Sequence, residues 1–155
     1  MTASEVPIPV EEKAALAGLV AAYVAEMSEI IGMAKGDGRY PHFDLYWSEP
    51  EARWPFWLKT NSTNAGFALV RRDRDAECTE MAEFFVAPTF RRHGIGLAAA
   101  RRLISWYPGP WRITQRENNV GAIAFWHRVL NGFVAYDEAT TTTDAIRREQ
   151  RFTIG

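Results

Sequence analysis

The chain has 155 residues, with 18 Lys plus Arg against 19 Asp plus Glu and a formal net charge of -1. That length suits one domain with its own core, and the charge balance gives no polyelectrolyte signature and disfavours nucleic acid as the main partner. The single Cys78 excludes an intramolecular disulfide, and the scattered His42, His93 and His127 form no ligand set at zinc spacing. The N-terminus MTASEVPIPVEEK has neither the basic nor the apolar region of a secretory signal, and no apolar run reaches the ~20 residues of a membrane span. A soluble, cytoplasmic protein with no membrane partner and no structural metal is expected.

In chain order, Leu16, Leu19, Val20, Tyr23, Val24, Met27, Ile30 and Ile31 recur at three- and four-residue steps. The spacing predicts an amphipathic helix from Glu11 to about Met33. Gly36 to Pro41 ends it. The aromatic stretch from His42 to Trp57 is cut by Pro50 and Pro55, and its first half carries no assignable element. WPFWLKT and AGFALVRR flank Asn61 to Asn64 and predict a β-hairpin, because Asn and Ser tolerate turn dihedrals. A polar loop, Asp73 to Cys78, leads to a third strand, TEMAEFFV. GLAAARRLISWY predicts a helix closed by Pro108-Gly109-Pro110, WRITQR a strand, and Val120 to Leu130 a helix ended by Asn131-Gly132. FVAYDEA and REQRFTIG predict two further strands. The sum is a single α/β domain on a mixed sheet.

The stretch FFVAPTFRRHGIGLAAARR holds the chemistry. No Asp or Glu lies between Phe84 and Arg116, whereas Arg91, Arg92, Arg101, Arg102, Arg112 and Arg116 all do. Gly94 and Gly96 sit where a helix begins, so free backbone N–H groups and the positive end of the helix dipole can approach an anion with no Cβ in the way. Arg91 and Arg92 add forked donors for phosphate oxygens. A phosphate or pyrophosphate is the inferred ligand. A P-loop is excluded, since no Lys occurs after Lys59. The dinucleotide pattern Gly94-x-Gly96-x-x-Ala99 with Glu117 downstream matches by spacing. Against it stand the seven residues between Val86 and Gly94 and the lack of a second βαβ half.

Arg91-x-x-Gly94-x-Gly96 after FFVAP resembles the pyrophosphate loop of the GNAT superfamily of acyl-CoA N-acyltransferases. Asn119-x-x-Ala122-x-x-Phe125-Trp126 followed by Gly132-Phe133 resembles that family's second block, in the same order and at the same spacing. Together the two cover roughly Glu80 to Phe133. The resemblance implies a single-domain GNAT-like α/β fold, a mixed, mostly antiparallel sheet flanked by helices on both faces. It also implies an N-acetyltransferase with acetyl-CoA as acyl donor, acting on a small-molecule or peptide amine. A noncatalytic acyl-CoA-binding or sensing domain is the alternative. A homodimer is an assembly the family allows.

By the same likeness, the backbone of Phe84, Phe85 and Val86 would bond the pantetheine arm, and the Val86 N–H would face the thioester oxygen. Arg91, Arg92, His93, Gly94, Ile95 and Gly96 would wrap the pyrophosphate, with Leu97 and Ala98 in the helix's first turn. Asn119, Phe125 and Trp126 would line the thioester side. Trp126 stands where the family commonly has Tyr, and an indole N–H is no useful acid. A base for the amine is sought in Glu80 or Glu83. Period-two alternation puts Glu80 with Phe84 and Val86 and Glu83 with Phe85 unless a bulge intervenes, and Glu80 is preferred. His42 is a distant further candidate. Tyr40 to Trp47 are expected to reach the acceptor.

Overall fold

The computed structural model describes residues 2–32 and 40–155. Strand β1 (Ser4–Pro7) and a short turn of 3-10 helix lead into helix α1 (Lys13–Ile31). After a four-residue helix α2 (Leu45–Ser48) come strands β2 (Arg53–Thr60), β3 (Thr63–Asp73) and β4 (Cys78–Val86). Helix α3 (Ile95–Ser105), strand β5 (Gly109–Arg116), helix α4 (Val120–Leu130) and strands β6 (Asp137–Thr142) and β7 (Ile146–Ile154) complete the chain. The strands form one seven-stranded sheet in the order β1-β2-β3-β4-β5-β7-β6, antiparallel except between β4 and β5. The expected mixed, mostly antiparallel sheet is therefore present.

Alternation along β2 and β3 sorts the core into two layers. Trp57, Phe67, Leu69 and Phe85 pack under Leu16 and Val20 of α1, while Phe56, Leu58, Ala68, Val70 and Met81 pack under α3 and α4. Leu16, Phe67 and Leu69 are fully buried, as are Ala99, Leu103 and Val129 on the opposite face. Against the expectation that no apolar run reaches the length of a membrane span, α1 with its preceding turn, Val10–Ile31, is long and apolar enough by length and composition to cross one. Its buried residues Leu16 and Val20 lie against the sheet, and Glu26 and Glu29 break its last turns.

Three sequence expectations are corrected. FVAYDEA is not a strand from its start, since β6 begins only at Asp137. Phe133, Val134 and Tyr136 instead pack on the core of α3 and α4. Pro108 to Pro110 do more than close a helix, because Gly109, at φ +106, and Pro110 open β5 and pair with β7. The third concerns Glu80. In the β3–β4 register Leu69 opposes Glu83 and the next residue, Val70, opposes Met81, so Ala82 is a bulged extra residue. The bulge shifts the alternation by one and puts Glu80 on the α1 face with Glu83 and Phe85, away from Phe84 and Val86. The end of the predicted first helix at Met33 lies outside the described residues.

The fold positions a gap. β4 and β5 pair only at Thr79–Trp111 and Glu80–Arg112. Beyond these two pairs the parallel strands diverge, and the β5-facing backbone edge of β4 is left without a strand partner up to Val86. The N-termini of α3 and α4 both lie beside this opening.

Candidate active site

At the splay lies a cleft of about 620 Å³, bounded by α1, the end of β4, the loop into α3, and α4. Most of the residues singled out by the sequence meet there. Phe84, Phe85, Val86, Arg91, Arg92, Gly94, Ile95, Gly96, Leu97, Asn119, Phe125 and Trp126 all line it; Glu80, Glu83, His93 and Ala98 do not.

The end of β4 presents its backbone into the gap. Ala87 N–H donates to the Ala65 carbonyl at 2.8 Å, so in an antiparallel pair the polar groups of the preceding residue point the other way. The Val86 carbonyl accordingly accepts from Arg91 Nε at 2.7 Å, off the β3 side. The Val86 N–H shares that direction. Gly66 allows the tight pairing behind it, since a Cβ there would sit 2.0 Å from the Phe85 carbonyl oxygen.

Gly94 is the residue before α3 and has φ +75, a left-handed conformation that glycine adopts without a Cβ clash. Arg92 also sits at positive φ, +66. The loop thereby turns the first N–H groups of α3 toward the cleft. Gly96 acts by size: a Cβ would lie 3.3 Å from both Phe125 and Val86. Phe125 stacks on Phe84 with ring centroids 5.6 Å apart, and Trp126 meets Phe84 edge to face at 5.5 Å. These rings form an apolar wall beside the free edge of β4. Asn119 caps α4 by accepting from the Ala122 N–H at 3.2 Å, which fixes that helix's N-terminus over the gap.

The arginines divide by partner. Arg91 grips Glu26 of α1 at 2.8 and 3.0 Å and lies over the Phe85 ring. Arg101 donates to the last carbonyls of α4, and Arg102 pairs with Glu5 of β1, so neither faces the cleft. Arg92 and Arg128 are exposed at the cleft and have no carboxylate partner among the described residues.

Of the two candidate bases, Glu80 is held by Arg71 Nε at 2.9 Å and by Arg112 at 2.9 and 2.5 Å, with Asp73 completing the group. The Glu83 carboxylate instead has two phenols and, among the described residues, no cation in hydrogen-bond contact. Tyr23 of α1 donates to one oxygen, and Tyr40 donates to the other at 3.0 Å. Burial pushes Glu83 up to about 7, opposed by the two phenol hydrogen bonds, reinforced by the nearby Glu80 charge and offset by Arg147. Glu83 keeps some accessible surface as a residue, but its carboxylate is enclosed between the two rings, and that enclosure explains the shift. Tyr23 also lines the cleft, so it connects Glu83 to the gap. Burial and the adjacent carboxylate raise both phenols above the ordinary tyrosine range.

Tyr40 lies within the segment expected to reach the acceptor, whereas Tyr23 was missed. In the sequence it is one core position of an amphipathic helix. Only its hydroxyl among Leu and Val neighbours hinted otherwise. His42 is exposed and borders a separate hollow with Phe43 and Asp44.

The model of the acetyltransferase (GNAT) family matches residues 20–133. No curated protein matches the chain. Among solved structures, an acetyltransferase from Thermus thermophilus superposes with a TM-score of 0.76 at 14% identity, over 99% of this chain and 98% of that one. The spermidine N-acetyltransferase of Vibrio cholerae, solved with CoA and spermine, gives 0.71 at 10% identity, over 97% and 95%. The ribosomal-protein-S18-alanine N-acetyltransferase of Escherichia coli gives 0.64 at 20% identity, over 99% and 94%. With both sequence motifs on one cleft and the family model covering most of the chain, the protein belongs to the acetyltransferase (GNAT) family of acyl-CoA-dependent N-acyltransferases.

Proposed function

We propose that the protein transfers acetyl directly from acetyl-CoA to a primary amine, with Glu83 as the base and the Val86 N–H as the oxyanion donor. The observation that carries this reading is the meeting of the free β4 edge with an enclosed carboxylate that is reached through Tyr23 and has no cation in contact among the described residues. The cleft residues fit the donor. The α3 N-terminus at Gly94, with Arg92 and Arg128 beside it, offers backbone and guanidinium donors to phosphates. The Phe84, Phe125 and Trp126 wall suits an apolar arm, and the backbone edge of β4 suits its amides.

The two substrates then meet from opposite faces of the sheet. The donor lies on the α3 and α4 side and presents its thioester in the gap; the amine arrives from the α1 side, where Glu83 stands. An ammonium of pKa near ~10.4 must lose a proton before it attacks. Glu83, poised to about 7, accepts it through Tyr23 or one water. The amine nitrogen forms its bond to the thioester carbon, the Val86 N–H stabilises charge on the carbonyl oxygen, and the carbon–sulfur bond breaks. Trp126 donates no proton, so the thiolate departs unaided or is protonated by water.

Calorimetric titration with acetyl-CoA, with NAD as control, followed by thiol-release assays on an amine panel, tests the proposal. Binding of acetyl-CoA that is weakened in the Arg91→Ala plus Gly94→Glu double variant, with acceptor-dependent thiol release, is the expected result. Binding without release from any amine would favour an acyl-CoA sensor. No binding by the folded protein would end the reading.

A further inference from the structure

Helix α1 covers only the β1 to β4 half of its face of the sheet. Beyond β4, that face continues onto β5 and β7 with no helix over it among the described residues, and this is the side on which Glu83 is held. Arg112 of β5 marks the face by bonding Glu80, so Thr114 and Arg116 follow on it at two-residue steps. Arg116 stands directly opposite Arg147 of β7. Two like charges across a strand pair are destabilising. Here they converge although the chain as a whole is nearly neutral.

The pair has little internal compensation. Among the described residues, Arg116 has only Asp144, at 3.9 Å, as a counter-charge. The same Asp144 oxygen receives Arg147 at 3.1 Å. Asp144 belongs to the β6–β7 turn and its side chain is 65% exposed, against 27% and 30% for the two arginines. One exposed surface carboxylate is thus shared by two half-buried guanidinium groups, whose forked donors suit two oxygens of one anion. With Ala82 bulged out, Glu83 lies two ladder steps past Glu80 while Arg116 lies four past Arg112, so the pair stands roughly 7 Å beyond Glu83 along the strand direction, with Thr114 between. Arg147 is close enough for its charge to act on Glu83.

We propose that Arg116 and Arg147 bind an anionic group of the acceptor, so that the substrate is an amine carrying a carboxylate or a phosphate, and that Asp144 holds the pair until the substrate displaces it. This specificity rests on the acetyltransferase reading and goes beyond it. A polycation is repelled at the same place. Arginine forks accept carboxylate and phosphate alike, so the panel must tell the two apart.

The test compares thiol release from acetyl-CoA for matched amines: glutamate against its diamide and an Asp- or Glu-terminated dipeptide against its amidated form for the carboxylate, phosphoethanolamine against ethanolamine for the phosphate, and spermine as polycation. The expected result is kcat/KM at least tenfold higher for the acidic member of one pair, the successful pair naming the anion. Arg147→Gln and Arg116→Gln should bring that ratio toward one without altering acetyl-CoA affinity. Asp144→Asn should lower KM for the acidic amine several-fold, a gain that damage to the fold would not produce.

A protein that binds acetyl-CoA but acetylates no acidic amine, or prefers ethanolamine or spermine, overturns the inference while leaving the acetyltransferase reading in place. An acidic preference unchanged in all three variants also overturns the assignment to Arg116 and Arg147. Loss of acetyl-CoA binding in the wild-type protein is the separate result that removes the reading beneath it.

Discussion

The phenol of Tyr23 on α1 donates to the carboxylate of Glu83 on β4, 60 residues further along the chain. That bond joins the helix covering the sheet to the strand that opens the cleft, and it fixes a carboxylate that no cation contacts among the described residues. The consequences can be measured.

Replacing Glu83 by Gln should lower kcat/KM about 100-fold, the low end of what a lost general base costs, while acetyl-CoA affinity stays within about twofold. In the wild type, kcat/KM should rise with pH through an apparent pKa of about 7 and then level off. The variant should lose that limb. A limb that persists in Glu83→Gln would assign the base elsewhere.

Glu80→Gln is predicted to act differently. It removes the carboxylate held by Arg71 and Arg112, both less than one-third exposed, and leaves two cations facing Asp73 alone. A stability loss of roughly 2 kcal/mol is expected, discounted from the buried-pair range for partial exposure. Denaturant midpoints measure it. The pH profile of the surviving activity should keep its limb near 7.

Glu83 also makes stability depend on pH. An acid whose folded pKa is raised binds its proton more tightly in the folded state, so ionising it opposes folding. The penalty is absent below the unfolded pKa of about 4.3, grows as pH rises, and is complete above the folded value of about 7. From 1.36 kcal/mol per pKa unit, it amounts to roughly 4 kcal/mol. Thermal melts from pH 4 to 8 should show the wild type losing stability relative to Glu83→Gln across that window. Parallel pH curves for the two proteins would refute the shift.

Two glycines should fail for different reasons. Gly94→Ala forces an L-residue into the left-handed region at φ +75, costing roughly 1–2 kcal/mol and weakening acetyl-CoA binding. Gly66→Ala drives a Cβ to 2.0 Å from the Phe85 carbonyl oxygen, a backbone atom that cannot rotate away. It should cost about 3 kcal/mol, the upper part of the ordinary single-site range, and separate β3 from β4. Calorimetry and denaturant melts distinguish the two.

Arg92→Gln combined with Arg128→Gln should weaken acetyl-CoA binding roughly tenfold, as expected for charge-assisted hydrogen bonds to phosphate. The thermal midpoint should hold, because neither side chain has a carboxylate partner among the described residues. A change in midpoint without a change in affinity would make them structural.

Local sequence carried the donor half of the site. The Arg91-x-x-Gly94-x-Gly96 loop, the strand and helix on either side of it, the hairpin and the helix from Val120 each follow from short-range pattern, because turn dihedrals and hydrophobic periodicity are set by neighbours a few residues apart. Arg91, Gly94 and Gly96 of the loop line the cleft together with Asn119. What the sequence could not decide was which way a side chain faces after a bulge. Ala82 carries no signal that it is the unpaired residue of β4, and the opposing register of Leu69 and Val70 places it there. That single insertion moved Glu80 onto the α1 face beside Glu83. It took long-range pairing to tie Glu80 to Arg71 and Arg112, and packing of α1 and Tyr40 to enclose Glu83. The motif residues were legible because their geometry is local; the environment of Glu83 was decided by the tertiary structure, since burial, strand register and charge partners come from segments far apart in the chain.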